Sequence, residues 1–407
     1  MLYQLLEYQR SLLTPVSDWA SELTRAFADP DSPLARMPGA PCVAAGCDML
    51  ARLGREYGKP DFAIASVPDG ARELPIQEQV ITERPFCRLL RFAPPPAAVA
   101  ATRPAVLLCA PLAGHHAVLL REVVSTLLPL CDVYVTDWID AREVPLSAGS
   151  FHLDDYVAYL QDFLRAIEAP SRHLLAVCQA TVPALAAVSL LASAGEPLPA
   201  SLTLVGGPID ARENPTAVDR LALRQPLSWF ARHLIHTVPP RYAGAGRRVY
   251  PSFLQHAGLV AAHPSRLMGS HWDYYMDLMQ GDRAAAALHL RTCDEYNAVI
   301  DMAAEFYLDT IRIVFQEFRL ARGDWSVGGR PVRPQDIRGI ELLTVEGELD
   351  DIAGPGQTRA AADLCSGLAA RHKHHLMVAG SGHYELFTGP RWRDEVFPAV
   401  AALLTAA

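Results

Sequence analysis

The sequence predicts an α/β protein: a mostly parallel sheet covered by helices on both faces, with a helical lid inserted late in the chain. Two observations predict the sheet. From about residue 101 short apolar runs alternate with helical segments, and the runs read as strands buried on both faces. A third predicts the lid, because the alternation stops between about 215 and 335 and then resumes.

The chain opens on "MLYQLLEYQRSLLTPVSDWASELTRAF", which lacks a basic n-region followed by a compact apolar core and reads as an amphipathic helix. Breaks at "ADPDSPLARMPGAP" and "FAPPPAAVAATRP" mark residues 1–100 as an N-terminal extension packed on the core. The first part of the core, 101–214, holds the strands "AVLLCAP" (105–111), "DVYVTDW" (132–138), "HLLAVC" (173–178) and "SLTLVGG" (201–207). Helices such as "DDYVAYLQDFLRAIEA" fill the gaps. Residues 215–335 form the lid or cap insertion, with "LSWFARHLIHTVPPRY", "RRVYPSFLQH", "SHWDYYMDLMQGD" and "NAVIDMAAEFYLDTIRIVFQEFRLARG". The second part of the core, 336–407, adds "IELLTVEG" (340–347) and "HHLMVAG" (374–380).

Composition excludes several classes. With 407 residues, 50% hydrophobic and 20% charged, the chain has ample core, so disordered and fibrous readings fall. A formal net charge of -9 and no cluster of Lys and Arg interleaved with aromatics speak against nucleic acid. No uninterrupted apolar run reaches the roughly 18 residues that span a bilayer, so a soluble protein without a membrane span is expected. Eight cysteines in a chain this long are too sparse for a disulfide framework, and a reducing cytoplasm fits them best. His372, His374 and His375 in "RHKHHLMV" lack a partner cluster, so they read as the solvated start of a strand and no metal is expected.

Open parallel sheets place ligands beyond the carboxyl ends of their strands, and three polar residues stand there: Cys178, Asp350 and His383. "HLLAVCQAT" has the outline of a strand, a sharp turn and a helix, with Cys178 where G-x-S-x-G has serine and with Ala176 and Ala180 in place of the glycines. The turn puts the sulfur near the positive end of the next helix, where a thiolate is favoured. His383, in "AGSGHYELF", is placed to exchange the thiol proton, and Asp350, after "ELLTVEG", to hold the imidazole tautomer; Asp351 beside it is an open alternative. Nucleophile, acid, histidine is the α/β-hydrolase chain order. Backbone N–H groups of Gln179 and Leu112 are the candidate oxyanion donors. Asp137 and Asp210 also follow strands but read as loop or capping carboxylates, and of His115 and His116 one is a candidate substrate contact.

Together "MLYQLLEYQR", "LLCAPLAGHHAVLLREVV", "YVTDWIDAREVPL", "AVCQATVPALAAV", "LVGGPIDARENPT", "LLTVEGELDDIAGPGQT" and "GSGHYELFTGPRWRDEVFP" resemble the intracellular polyhydroxyalkanoate depolymerases, from the first residue nearly to the last. The resemblance implies an α/β-hydrolase fold and a Cys-Asp-His triad, which falls on Cys178, Asp350 and His383. It also implies a substrate, poly(3-hydroxybutyrate) in amorphous cytoplasmic granules, with no cofactor and with water or coenzyme A as acyl acceptor. The alternatives are a polyhydroxyalkanoate synthase-like acyl transferase and a non-catalytic granule-binding protein. Lid aromatics supply the surface a polyester needs: Trp229, Trp272, Tyr274 and Tyr275 are candidate substrate contacts, with Phe230, Tyr250, Phe253 and Met276 beside them. Oligomeric state is not legible.

Overall fold

A computed structural model of the chain describes residues 2–52, 55–70, 72–96, 103–262 and 273–405. Its centre is an eight-stranded sheet. In chain order the strands are β1 (Gln77–Arg84), β2 (Cys87–Ala93), β3 (Ala105–Cys109), β4 (Asp132–Trp138), β5 (Arg172–Val177), β6 (Ser201–Val205), β7 (Glu341–Gly347) and β8 (Lys373–Val378). Their spatial order is β1-β2-β4-β3-β5-β6-β7-β8, that of an α/β-hydrolase. From β4 to β8 every pairing is parallel, whereas β1 with β2 and β2 with β4 are antiparallel.

Burial follows from the composition of each strand. All side chains of β3 and β6 are buried; β3 reads as an unbroken apolar run, whereas β6 also buries Ser201 and Thr203. β1, "QEQVITER", lies at the sheet edge with nearly every residue exposed, and its charges blunt that edge against pairing with another chain. The boundary proposed at residue 100 is therefore corrected: β1 and β2 come from within the segment taken as an extension, yet they are sheet strands. Only the part before them lies outside the sheet.

That part contributes two helices, α1 (Leu2–Ala28) and α2 (Ala40–Arg52), which dock largely on the inserted segment. Tyr3 donates its hydroxyl to Asp301 at 2.7 Å and sets its ring edge-on to Phe253. Arg52 pairs with Asp294 at 2.9 Å and Arg241 with Glu7 at 2.7 Å. The insertion is mostly helical, as its pattern predicts, with a small three-stranded sheet formed by 236–237, 248–250 and 302–303.

On the first half of the core, α3 (Arg121–Leu127), α4 (Leu153–Ala166) and α5 (Thr181–Ser193) follow β3, β4 and β5. Every residue of α5 from Thr181 to Leu191 is buried, so this helix is apolar all round and dense in alanine. It starts at the turn that carries Cys178. Among the described residues no helix is long and apolar enough to cross a membrane.

Candidate active site

β5 lies between β3 and β6 in the sheet, so its end is bordered by the ends of both. Cys178 follows directly, half-buried, with a φ of +55° that side-chain-bearing residues rarely adopt. Such a left-handed residue costs on the order of 1–3 kcal/mol, and the surroundings impose it. Thr181, the first residue of α5, donates its hydroxyl to the Cys178 carbonyl at 2.8 Å. Ala176 pairs across the sheet with Cys109 and Leu204, and Ala180 is fully buried. Both flanking alanines are thus fully buried.

The acid and the histidine meet because β7 and β8 are neighbours and the loops at their ends touch. A Cβ on Gly347 would stand 2.6 Å from the Ser381 carbonyl, so only glycine lets the two loops come this close. Leu349 then donates its N–H to that carbonyl at 2.9 Å. Glu346, buried in β7, accepts N–H groups from Gly356 and Arg359 and holds the rest of the loop. Asp350 Oδ1 accepts from the N–H groups of Ile352 and Ala353 at 2.9 Å each, which leaves Oδ2 for His383 Nδ1 at 2.7 Å. Asp351 is exposed, and the carboxylate bonded to the imidazole is that of Asp350.

Burial of His383 by itself would favour the neutral ring. The charge and hydrogen bond of the Cys178 sulfur, together with those of Asp350, outweigh it and push the imidazole pKa up to about 10. Imidazole and carboxylate thus form a hydrogen-bonded pair, and the ring also feels the Cys178 sulfur. Tyr384 and Phe387 set ring edges on His383, with centroids at 5.6 and 5.7 Å, and wall it from one side.

Gln179 stands second in a one-turn helix, Cys178–Ala180, where N–H groups have no intrahelical acceptor. Leu112, in the turn after β3, has an N–H without a backbone partner among the described residues. Both candidate oxyanion donors therefore belong to segments bordering the sulfur.

Residues 206–407 match the family described as PHB de-polymerase C-terminus, PHB being poly(3-hydroxybutyrate). The chain belongs to the PHB depolymerase family. The matched span begins one residue after β6 and takes in Asp350 and His383, while Cys178 lies before it. No curated protein matches. Solved structures similar to this PHB depolymerase-family chain include the thioesterase domain from the curacin biosynthetic pathway, at 13% identity and TM-score 0.43, with 81% of this chain and 99% of that one covered. The α/β hydrolase GrgF from Penicillium sp. sh18 has 14% identity and TM-score 0.45, covering 82% and 99%. Carboxyl esterase 2 from Tuber melanosporum has 12% identity and TM-score 0.42, covering 85% and 88%. Likenesses this distant bear on neither substrate nor mechanism.

Two of the lid aromatics meet the N-terminal helices. Tyr274 donates to Asp48 at 2.6 Å and Tyr275 meets Cys42 at 3.0 Å, so both face α2. The charged and polar residues of α2 give them partners that the lid sequence alone does not reveal. Trp229 stacks on His233 within its own helix, and Phe230 is buried. Trp272 lies outside the described residues. The rings gathered near His383 are instead Tyr384, Phe387, Tyr296 and His115, linked by successive edge or tilted contacts. Tyr384 and Phe387 were within reach of the sequence, because they directly follow the histidine in "GHYELF".

Acid sensitivity in this PHB depolymerase-family chain has a local source. His173, at the start of β5, bonds Ser201 at 2.8 Å and Ser171 at 2.9 Å, and its burial pushes its pKa down to about 4. The unfolded ring titrates near 6.5, so the stability tied to a neutral His173 is present above about pH 6.5 and lost as pH falls toward 4. His173→Gln is therefore expected to close about 1–2 kcal/mol of its stability gap to wild type between pH 7 and pH 5, as read by urea unfolding. A gap that stays constant with pH sinks this account.

Proposed function

We propose that the chain cleaves ester bonds of a poly(3-hydroxybutyrate)-type polyester through an acyl-cysteine at Cys178. The observation that carries this reading is the left-handed Cys178 at a strand-to-helix turn, whose sulfur acts electrostatically on a histidine that Asp350 holds from behind. Membership in the PHB depolymerase family supports the substrate class.

The Cys178 sulfur attacks the ester carbonyl, and the oxyanion takes N–H donors from Gln179 and Leu112. As the C–O bond breaks, His383 gives its proton to the leaving alkoxide, and Asp350 keeps the ring oriented while its charge changes. The neutral ring then takes a proton from the acceptor, whose oxygen or sulfur attacks the thioester carbonyl and expels Cys178. Water gives a free acid; the coenzyme A thiol gives a new thioester. Residues 215–335 act as the lid over this step, and the partner is the polymer or its granule.

Amorphous granules incubated with purified protein should release 3-hydroxybutyrate or its oligomers, identified by mass spectrometry. A parallel arm with coenzyme A separates the two acceptors, since only thiolysis yields hydroxybutyryl coenzyme A. A second arm without granules supplies hydroxybutyryl coenzyme A alone, and polymer formed there would overturn the reading in favour of a synthase. Intact granules in every arm would leave a binding protein.

A further inference from the structure

A half-enclosed cavity of about 360 Å³ opens where the N-terminal helices, the loop after β4 and the inserted helix Ser252–Ala262 meet. Phe253, Val299 and Met49 give it apolar surface. Its charged lining is lopsided for a chain of net charge -9: Arg10, Arg52, Arg55 and Arg142 stand against the single carboxylate of Glu56. Two carboxylates hold these guanidiniums in place. Glu56 pairs with Arg142 at 3.1 Å and Arg10 at 3.8 Å, while Asp294, outside the lining, pairs with Arg52 at 2.9 Å and Arg55 at 3.3 Å. Such pairing takes up only part of the five N–H donors that each guanidinium carries.

The balance of charge in the cavity favours an anion. Burial alone would raise the Glu56 pKa, but Arg142, the Tyr242 hydroxyl, Arg241 and Arg10 outweigh it and hold the carboxyl below its ordinary value. The volume is in the range of small-molecule sites. Guanidinium forks beside apolar surface suit a carboxylate or phosphate borne on an apolar stem. The cavity also adjoins the proposed catalytic groups. His256 in its wall packs on Tyr296, Tyr296 on Tyr384 and Tyr384 on His383, with ring centroids 6.4, 6.4 and 5.6 Å apart. Val299 bridges to His115, in the same loop as Leu112.

Ester cleavage at Cys178 divides a polyester into two parts that differ in charge. The acyl part stays on sulfur, and the departing alcohol part keeps the chain's ionised carboxyl end. Resting on the proposed ester cleavage, we infer that this cavity binds that carboxylate end and so holds the departing fragment of a hydroxyalkanoate oligomer beside the site. The apolar surface takes the methyl-bearing chain, and the guanidiniums take the carboxylate. Free-acid oligomers are therefore retained more tightly than the same oligomers esterified at that end.

Calorimetric binding of a 3-hydroxybutyrate trimer to Cys178→Ala, which leaves the ligand uncleaved, tests this with the trimer as free acid and as methyl ester. The acid should bind roughly tenfold to a hundredfold tighter. Arg55 is half-exposed, so Arg55→Gln in that background leaves the fold intact and should cut the ratio about threefold. Glu56→Gln removes the lining carboxylate and should raise the ratio, a change that loss of fold does not mimic. Inorganic phosphate, which has the charge without the stem, should compete only at concentrations far above those of the acid trimer. A ratio near 1, or one that both substitutions leave unchanged, overturns the inference while leaving ester cleavage in place. Phosphate that competes as well as the acid trimer also overturns it, and gives the cavity to a phosphate-bearing ligand. Granules left intact by wild type would instead remove the ester cleavage on which the inference rests, and the inference with it.

Discussion

Cys178→Ala is expected to lower the rate of ester cleavage by on the order of 10⁵, while the protein folds as before. The backbone at 178 stays left-handed with either side chain, so the strain is common to both and the stabilities should agree to within about 1 kcal/mol. What disappears is the atom that forms the acyl intermediate, and no neighbouring group replaces it. The same substitution has a second readout, at the histidine. Because the sulfur is the foremost influence raising the His383 pKa, its removal should drop that pKa well below about 10, as measured by NMR titration of the ring. Asp350 remains bonded to Nδ1 and continues to oppose the effect of burial. Cys178→Ser keeps a nucleophilic atom but a far less acidic one, so it should fall between wild type and the alanine variant. Activity in Cys178→Ala above a tenth of wild type would remove the acyl-cysteine from the mechanism.

Why parts of this arrangement were legible in the sequence, and parts were not, comes down to which forces write themselves locally. β3, β5, β6 and β7 are buried on both faces, so selection for burial leaves an apolar run that needs no partner to be recognised. β1 and β2 were missed because β1 is an exposed edge: "QEQVITER" is polar along its length, and only its pairing with β2 makes it a strand. The turn at Arg84-Pro85-Phe86 followed by "CRLLRFA" was the available hint. Cys178, Asp350 and His383 stand out in the sequence because Cys178 directly follows a strand and the other two lie in the loops that leave β7 and β8, but sequence does not separate Asp350 from Asp351. Their difference lies in two backbone N–H groups, from Ile352 and Ala353, that aim one carboxylate at the imidazole. Aromatic content likewise carries no direction, and Tyr274 with Tyr275 turned toward α2.

Gly207→Ala is expected to damage both fold and rate, for separable reasons. A Cβ at this position would stand 1.8 Å from Thr181 Oγ1, 2.5 Å from Thr181 Cγ2 and 2.6 Å from the Cys178 carbonyl oxygen. Gly207 cannot retreat easily, because its N–H donates to Thr358 Oγ1 at 2.7 Å and its carbonyl accepts from the same hydroxyl at 2.9 Å. The elbow must move instead. Overpacking of this kind costs about 1–3 kcal/mol of stability. A displacement of about 1 Å at the sulfur costs roughly a hundredfold in kcat. Adding Thr181→Ala removes the two side-chain contacts but leaves the Cys178 carbonyl, which is backbone of the nucleophile itself. The double variant should therefore regain most of the lost stability and little of the lost rate, as measured by urea unfolding and by kcat on one soluble ester. Full recovery of both would mean that Thr181 alone defines the space at Gly207. Recovery of rate without stability would mean that the position of the Cys178 carbonyl does not govern catalysis, contrary to the elbow geometry.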